Sequence, residues 1–441
     1  MMSTMPTALG LYRLLQRSWP VPAPRRAGEA AVRRAAWLVL LAAGAVCGVD
    51  GVARAQPPPT AAPLTLEAAF SRAATANPDL AAARLRQLAA VKTVAVARQR
   101  PNPDVRVEFE RETPTQAYGV ALPVELGGKR SRRIALGTAG VDVSAAETAR
   151  TGLATRAAVR QTYFAVVAAD AKLALLQELH DIATRARAAA QGRFDAGGAP
   201  RLEVLQAELA QADADNQATA AGGEAEAARA QLRALLALPA QAPLALATAI
   251  DAGIAGAVAQ PAARADTGQA AVAVLDAQLQ EQRARVALAS ALLVPDLAPE
   301  ATITRGAEPE FSTGWRVALG VTVPLFTRNR AAVKLEEATL GAMTAERDAA
   351  VTRLAGDRVA AQAVTDALAQ QYLRFQSDIV PRAIEVERLA EDAYRLGRTG
   401  IAAFLQALQT SRDVRLRMLQ TAADFQSARA DLERALGAPL P

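Results

Sequence analysis

Arg193-Phe194-Asp195-Ala196-Gly197 is answered two hundred residues later by Ala393-Tyr394-Arg395-Leu396-Gly397, and from there the register holds to the end of the chain. Leu205/Leu405, Gln206/Gln406, Asp213/Asp413, Ala228-Arg229-Ala230/Ala428-Arg429-Ala430, Leu232/Leu432, Leu236/Leu436 and Pro239/Pro439 are identical at that spacing. Alanine matches count for little in so alanine-rich a chain. Paired Gly, Pro and Leu-Gln positions at an unbroken offset read as an internal duplication. Upstream, Pro103-Asp104 matches Pro295-Asp296, and Leu122-Pro123-Val124 matches Val323-Pro324-Leu325. The offset grows from 192 to 201 between those points, so the second copy holds nine extra residues there. The expected halves are 64–239 and 262–441, joined by a Pro-punctuated linker, 240–261.

Both halves have one anatomy. A helix comes first, over 66–98 and 267–293; Thr65 is placed to cap the first of these, and Asn77-Pro78 to interrupt it. A strand pair follows. Val105-Arg106-Val107-Glu108-Phe109-Glu110 alternates apolar and charged residues with period two, and Tyr118, Val120, Leu122, Val124 and Leu126 make one face of its partner. In the second half Ala301–Arg305, with Ile303, pairs with a strand whose one face is Trp315, Val317, Leu319, Val321, Val323 and Leu325. Each strand is expected to run about ten residues, the length of a tilted bilayer-spanning strand. A very long helix comes next, 130–194 and 330–394, at about 1.5 Å per residue a rod of roughly 100 Å. Pro381 is expected to kink the second rod. Turns at Gly197-Gly198-Ala199-Pro200 and Gly397-Arg398-Thr399-Gly400 send the chain back along 201–238 and 401–436.

Composition removes most chemistry. The 441 residues hold one cysteine, Cys47, and one histidine, His180, so disulfides, zinc fingers and Cys-based triads are excluded. No enzyme, cofactor or metal centre is expected. Gly127-Gly128-Lys129-Arg130-Ser131 superficially resembles a phosphate loop. Pro123 and Arg130 stand where that motif needs Gly and Ser/Thr, which leaves a strand-to-helix turn. Net charge is +6, but residues 1–55 carry seven arginines against Glu29 and Asp50. The remainder is nearly neutral, which argues against a nucleic-acid partner. Hydrophobic residues are 51% of the chain and aromatics only 4%, a balance suited to closely packed helices.

The first 55 residues read as a secretory signal peptide: Arg33-Arg34, the apolar run Ala35–Val49, and cleavage after Ala55 in Val52-Ala53-Arg54-Ala55. Cys47 leaves a lipid anchor open. Residues 56–63, with Pro57-Pro58-Pro59, form an extended linker.

An exported chain with four strands meets a closure problem, because open sheet edges in lipid leave backbone groups unpaired. Three copies supply twelve strands, enough for a barrel, and twelve helical stretches to form a tube beneath it. The fold class is mainly α with a membrane β-barrel portion, and the function a passive conduit. A periplasmic coiled-coil adaptor or scaffold is the competing reading, and a hydrolase a weaker third.

The succession of strand hairpin, long helix, Tyr-x-x-Gly tip and return helix, twice over, resembles the TolC family of outer membrane efflux proteins. The segments are Asn77-Pro78-Asp79-Leu80, 122–130 (Leu-Pro-Val-Glu-Leu-Gly-Gly-Lys-Arg), 323–330 (Val-Pro-Leu-Phe-Thr-Arg-Asn-Arg) and Tyr394-Arg395-Leu396-Gly397. The resemblance implies a homotrimer in outer membrane lipid of a Gram-negative bacterium, reaching into the periplasm. It implies as partners a periplasmic adaptor (membrane fusion protein) and an inner-membrane pump of the resistance–nodulation–division (RND) class. Glu-Leu-Gly-Gly-Lys-Arg is similar to the branch serving cobalt–zinc–cadmium and copper efflux; multidrug efflux and type I secretion stay as alternatives. The resemblance places adaptor-contacting tips at Phe194, Gly197, Tyr394 and Gly397, and the periplasmic entrance at Glu203, Gln406 and Arg398. Ala403 and Gln406 stand where the family's best-known member has aspartates, a departure from its acidic ring. The barrel strands are expected to present Val105, Val107, Phe109, Val120, Leu122, Ile303, Trp315, Val317 and Leu319.

Overall fold

The computed structural model describes residues 63–112, 114–259, 270–307, 309, 311–323, 329–438 and 440. The signal peptide, cleavage at Ala55, Cys47, most of linker 56–63, the start of the second half and the 324–328 part of the Val-Pro-Leu motif lie outside these residues.

Helix α1 (Leu66–Ala76) opens on Thr65, whose hydroxyl accepts from the Ala68 N–H at 3.2 Å. Asn77 then does two jobs: its N–H closes α1 on the Ala73 carbonyl, and its side-chain oxygen accepts from the Leu80 N–H at 3.0 Å. Pro78 occupies the first position of α2 (Pro78–Ala97), where no N–H is needed. The expected interruption is there.

Strands β1 (Asp104–Phe109), β2 (Gln116–Ala121), β3 (Leu297–Ala307) and β4 (Phe311–Val321) form one antiparallel sheet in the order β1-β2-β3-β4. The expected ten-residue length holds for the second pair, at 11 residues each, but the first pair has 6 each. The nine extra residues of the second copy fall inside its hairpin, whereas Pro103 and Pro123 bracket the shorter one. Pairing outlasts β2: the Leu122 N–H donates to the Pro299 carbonyl at 2.9 Å and Val124 bridges Leu297. Leu122 therefore lies just past β2, still hydrogen-bonded to β3.

From the turn Gly127-Gly128, both at positive φ, springs α3 (Lys129–Asp195), 67 residues without a break. A Cβ on Gly127 would stand 2.8 Å from the Val294 side chain, so both backbone and space require glycine. Lys129 is buried and its Nζ meets Asp296 Oδ1 at 2.7 Å; Asp296 also accepts from the Leu126 N–H at 3.1 Å. The strand-to-helix turn is thus locked to the base of β3. Helix α3 returns as α4 (Arg201–Leu235).

The stretch joining the halves holds a short helix, α5 (Ile254–Ala259), and is docked along its described length. Leu64 bridges Leu246, the Tyr163 hydroxyl donates to the Leu64 carbonyl at 2.7 Å and accepts from the Thr248 N–H at 3.0 Å, and Gln426 donates to the Ile250 and Ala252 carbonyls. In the second half come α6 (Ala270–Ala291), α7 (Arg330–Arg374), a π-helical turn (Phe375–Ile379), α8 (Val380–Arg395) and α9 (Ile401–Leu436). The π turn is the answer to Pro381. Its ring nitrogen cannot donate to the carbonyl four residues back, and the Val380 N–H reaches five residues, to Phe375.

Three buried clusters hold these rods. Near the tips, Leu175, Leu179, Ile182 and Ala186 of α3 meet Val204, Tyr394, Ile401 and Phe404. In the middle, Leu66 and Phe70 pack on Val159, Tyr163, Phe164 and Leu232, and nearby Ile254 of the joining stretch packs on Ala369, Tyr372 and Phe425.

Candidate functional site

The sheet inverts the usual order. Cross-strand registers put Val105, Val120, Ala301 and Val317 in one row, and Val107, Tyr118, Ile303 and Trp315 in the next, all on one face. Along that face the large apolar side chains Val105, Val107, Phe109, Tyr118, Val120, Ile303, Val317, Leu319 and Val321 are exposed, as is Trp315 at 81%; Leu297, at the base of β3, is half-buried. Leu122 continues it and is exposed as well. The opposite face carries Asp104, Arg106 and Glu108 on β1, Ala117, Gly119 and Ala121 on β2, Glu300, Thr302 and Thr304 on β3, and Arg316 on β4. Arg106 reaches past β2 to Glu300 Oε2 at 3.8 Å. Gly119 keeps that path clear, since a Cβ there would stand 3.2 Å from Thr302 Oγ1 and 3.5 Å from Glu300 Oε1. An apolar face bare to the outside over a polar, charged inner face is the arrangement of a sheet solvated by lipid on one side and water on the other. Among the described residues no helix is long and apolar enough to cross a membrane.

At the far end of the rods both turns use the same device. Gly197 and Gly397 take φ of 76° and 69°, and the next residue's N–H closes on the helix behind: Gly198 on Arg193 at 2.7 Å, Arg398 on Ala393 at 2.9 Å. These are left-handed helix ends, which L side chains disfavour. Between the turns, three polar side chains link the two halves beside the apolar cluster. The Tyr394 hydroxyl donates to Glu203 Oε2 at 3.4 Å, Arg193 Nη1 lies 3.8 Å from the same oxygen, and Arg193 also donates to the Tyr394 carbonyl at 3.3 Å. The guanidinium sits 4.8 Å from the Tyr394 ring centre, whose other neighbour is Phe404, stacked at 6.0 Å and 7°. Burial, and then the neighbouring Glu203 carboxylate, raise the Tyr394 phenol above its ordinary value.

The tip residues therefore stand in different surroundings. Phe194 is 40% exposed and open to a partner, while Tyr394 is 1% exposed and turned inward. A ring in that position braces the tip from behind and offers a partner no surface. Glu203 is half-buried in the Arg193–Tyr394 cluster; Gln406 and Arg398 stand exposed outside it. Arg193 escaped the sequence reading, because its counterpart in the second half is Ala393 and the repeat carries no mark at that position.

A second ionic link joins the halves at mid-rod. Arg160 Nη2 donates to Glu433 Oε1 at 2.9 Å with both side chains buried, and Arg156 lies 3.8 Å over the Phe70 ring beside them. Burial lowers the Arg160 guanidinium below its ordinary value, and contact with Glu433 counters part of that. His180 is half-buried with Asp181 Oδ1 3.5 Å from Nδ1, and among the described residues no group of three or more His, Cys, Asp or Glu side chains is placed to hold a metal.

Comparison with known proteins fits this geometry. The chain is 29% identical over 395 residues to the cobalt-zinc-cadmium resistance protein CzcC of Cupriavidus metallidurans, covering 86% of this chain and 92% of the relative. Its fold matches a solved structure of CusC with a TM-score of 0.71 at 16% identity, over 85% of this chain and 92% of that one. The Campylobacter jejuni CmeC outer membrane channel matches with a TM-score of 0.69 at 15% identity, over 84% and 85%. The outer membrane efflux protein model matches residues 69–238 and again residues 262–438. The chain belongs to the outer membrane efflux protein family, whose members are conduits and not enzymes.

Proposed function

We propose that three copies of this chain close their four-stranded sheets into a twelve-stranded outer membrane barrel over a helical periplasmic tunnel. The tunnel receives divalent heavy-metal cations from an RND-class pump through a periplasmic adaptor. The observation that carries the reading is the inverted sheet: a bare apolar face, a charged inner face, and β1 and β4 at its two margins. Four strands cannot enclose an inner face, and their free edges need partners before lipid can cover them. The Arg193–Glu203–Tyr394 cluster then ties the two halves of each protomer at the periplasmic entrance. Phe194, Gly197, Gly397 and the exposed Leu396 form the rim offered to the adaptor. The two repeats, over roughly 64–239 and 262–441, supply the two hairpins of each protomer.

Metal as the cargo is supported by the CzcC relative's name and by the Glu-Leu-Gly-Gly-Lys-Arg turn. The wall supplies no argument of its own, because Met343 and Met418 are the only sulfur-bearing residues after residue 56. A susceptibility panel on a deletion strain and its complement, with outer membranes run with and without boiling, tests both layers. Selective hypersensitivity to cobalt, zinc, cadmium or copper, with a trimer band that boiling dissolves, is expected. Hypersensitivity to dyes and antibiotics alone would move the conduit to multidrug efflux. A monomer band at every temperature would overturn the barrel.

A further inference from the structure

We propose that Arg316 on β4 of one copy pairs, across the seam between copies, with the acidic pair Glu110 and Glu112 at the outer end of β1 in the next. The inference rests on the three-copy barrel proposed above and adds the register in which its sheets meet.

The margins of the sheet supply the partners. β1 and β4 each have a neighbour on one side only among the described residues. Across an antiparallel seam only residues of the same face lie opposite one another. Arg316 is therefore confined to the inner-face residues of the next β1: Asp104, Arg106, Glu108, or their continuation at Glu110 and Glu112. Arg106 already has Glu300 in its own copy, whereas Arg316 stands exposed with Gly314 and Ala318 on its own strand's inner face.

Barrel geometry chooses among them. One cross-strand row runs Arg106–Gly119–Thr302–Arg316. Were the rows to close flat, Arg316 would meet Arg106 of the next copy, a like-charge pair directly opposite and unfavourable. Rows in a barrel do not close flat. Twelve strands about 4.8 Å apart, rising about 3.3 Å per residue and tilted about 35–45°, displace a row by roughly 12 to 18 residues per circuit. Threefold symmetry divides this into about four to six residues per copy. The hand of the displacement also follows. The Glu110 N–H donates to the Thr115 carbonyl at 3.0 Å, so the inner-face residues of β1 turn their N–H and C=O groups towards β2. For L-residues that places β2 to the right of an outward-running β1 seen from inside. With the right-handed coil of strands, the row then climbs towards the outer end. It meets the next β1 four to six residues beyond Arg106, at Glu110 or Glu112. On the lipid face the four-residue displacement sets Val317 opposite Phe109, Leu319 opposite Val107 and Val321 opposite Val105, so the apolar rows continue unbroken across the seam.

The test uses full-length protein in outer membranes, and Cys47 is the chain's single native cysteine. Arg316→Cys is combined in turn with Glu110→Cys, Glu112→Cys, Glu108→Cys and Arg106→Cys, then oxidised. Covalent trimers that survive boiling are expected from the Glu110 or Glu112 pairing. Cross-linking through position 108 or 106 in preference, or none in a preparation that still shows the heat-sensitive trimer, would overturn the register. Charge reversal gives an independent readout. Arg316→Glu should reduce heat-stable trimer about tenfold over three seams, and adding Glu110→Arg with Glu112→Arg should restore it. Equal trimer stability in Arg316→Glu would also overturn the pairing. Absence of any trimer in the unmodified protein would instead count against the barrel itself.

Discussion

The two long rods descend from one repeated sequence, yet they are finished differently. Helix α3 runs unbroken and buries Val159, Tyr163, Phe164, Leu175, Leu179 and Ile182 against five other helices of its own chain. Helix α7 buries only Thr365, Ala369 and Tyr372 and leaves Leu335, Val359 and Val364 exposed; α8 leaves Ile384, Val386 and Leu389 exposed. The first rod is packed within the protomer. The second rod carries an apolar surface that the copies of the proposed trimer would cover, so the two rods divide the labour between folding and assembly.

The largest test of that division sets Phe164→Ala against Val359→Ala. Truncating the fully packed ring should cost about 3–5 kcal/mol in denaturant unfolding of the protomer. Val359→Ala should stay within about 0.5 kcal/mol there and show its effect only on trimer yield. Equal losses in protomer unfolding would erase the distinction.

An intermediate effect is expected where the halves touch at the tip. The folded Tyr394 phenol lies above its ordinary value, first through burial and then through Glu203. Its contribution to stability is therefore complete below about pH 10 and lost as pH rises through the higher folded value. Amide exchange over residues 193–203 should accelerate in that alkaline window. Tyr394→Phe should keep the stack on Phe404 and abolish the window; an unchanged alkaline profile in the variant would assign the loosening elsewhere.

The smallest effect belongs to Pro381→Ala. Restoring an N–H allows the π turn to relax towards an α-helix, and exchange over 375–380 should slow while α3, which has no such break, is unaffected. No change at 375–380 would mean that packing of Phe375, and not the proline, maintains the turn.

Much of this was legible in the chain itself. Thr65, Asn77, the turn glycines and the period-two alternation of β1 and β4 act over a few residues, so their local chemistry is enough to place them. Even the longer second hairpin was written in the nine-residue shift of the repeat, although ten residues were expected of every strand. The ionic links were not legible. Arg160 and Glu433 are 273 positions apart, and nothing near either distinguishes a buried charge from a solvated one. Tyr394 is a related case: a tip motif gives the position of a ring but not the direction it faces, which Phe404 and Arg193 decide.

The docking of the joining stretch has a mechanical consequence. Tyr163 and Gln426 fasten it close to the midpoint of the rods, and the π turn at 375–379 adjoins the Tyr372, Ile254 and Phe425 contact in the same zone. Such a collar is a fulcrum. From Tyr163 to the tip at Asp195 the lever arm is about 48 Å. A pivot of about 5° there moves the tip by about 4 Å, roughly the thickness of a side chain. A rotation that small would leave the helix packing at the fulcrum intact while moving the tip by the width of a side chain.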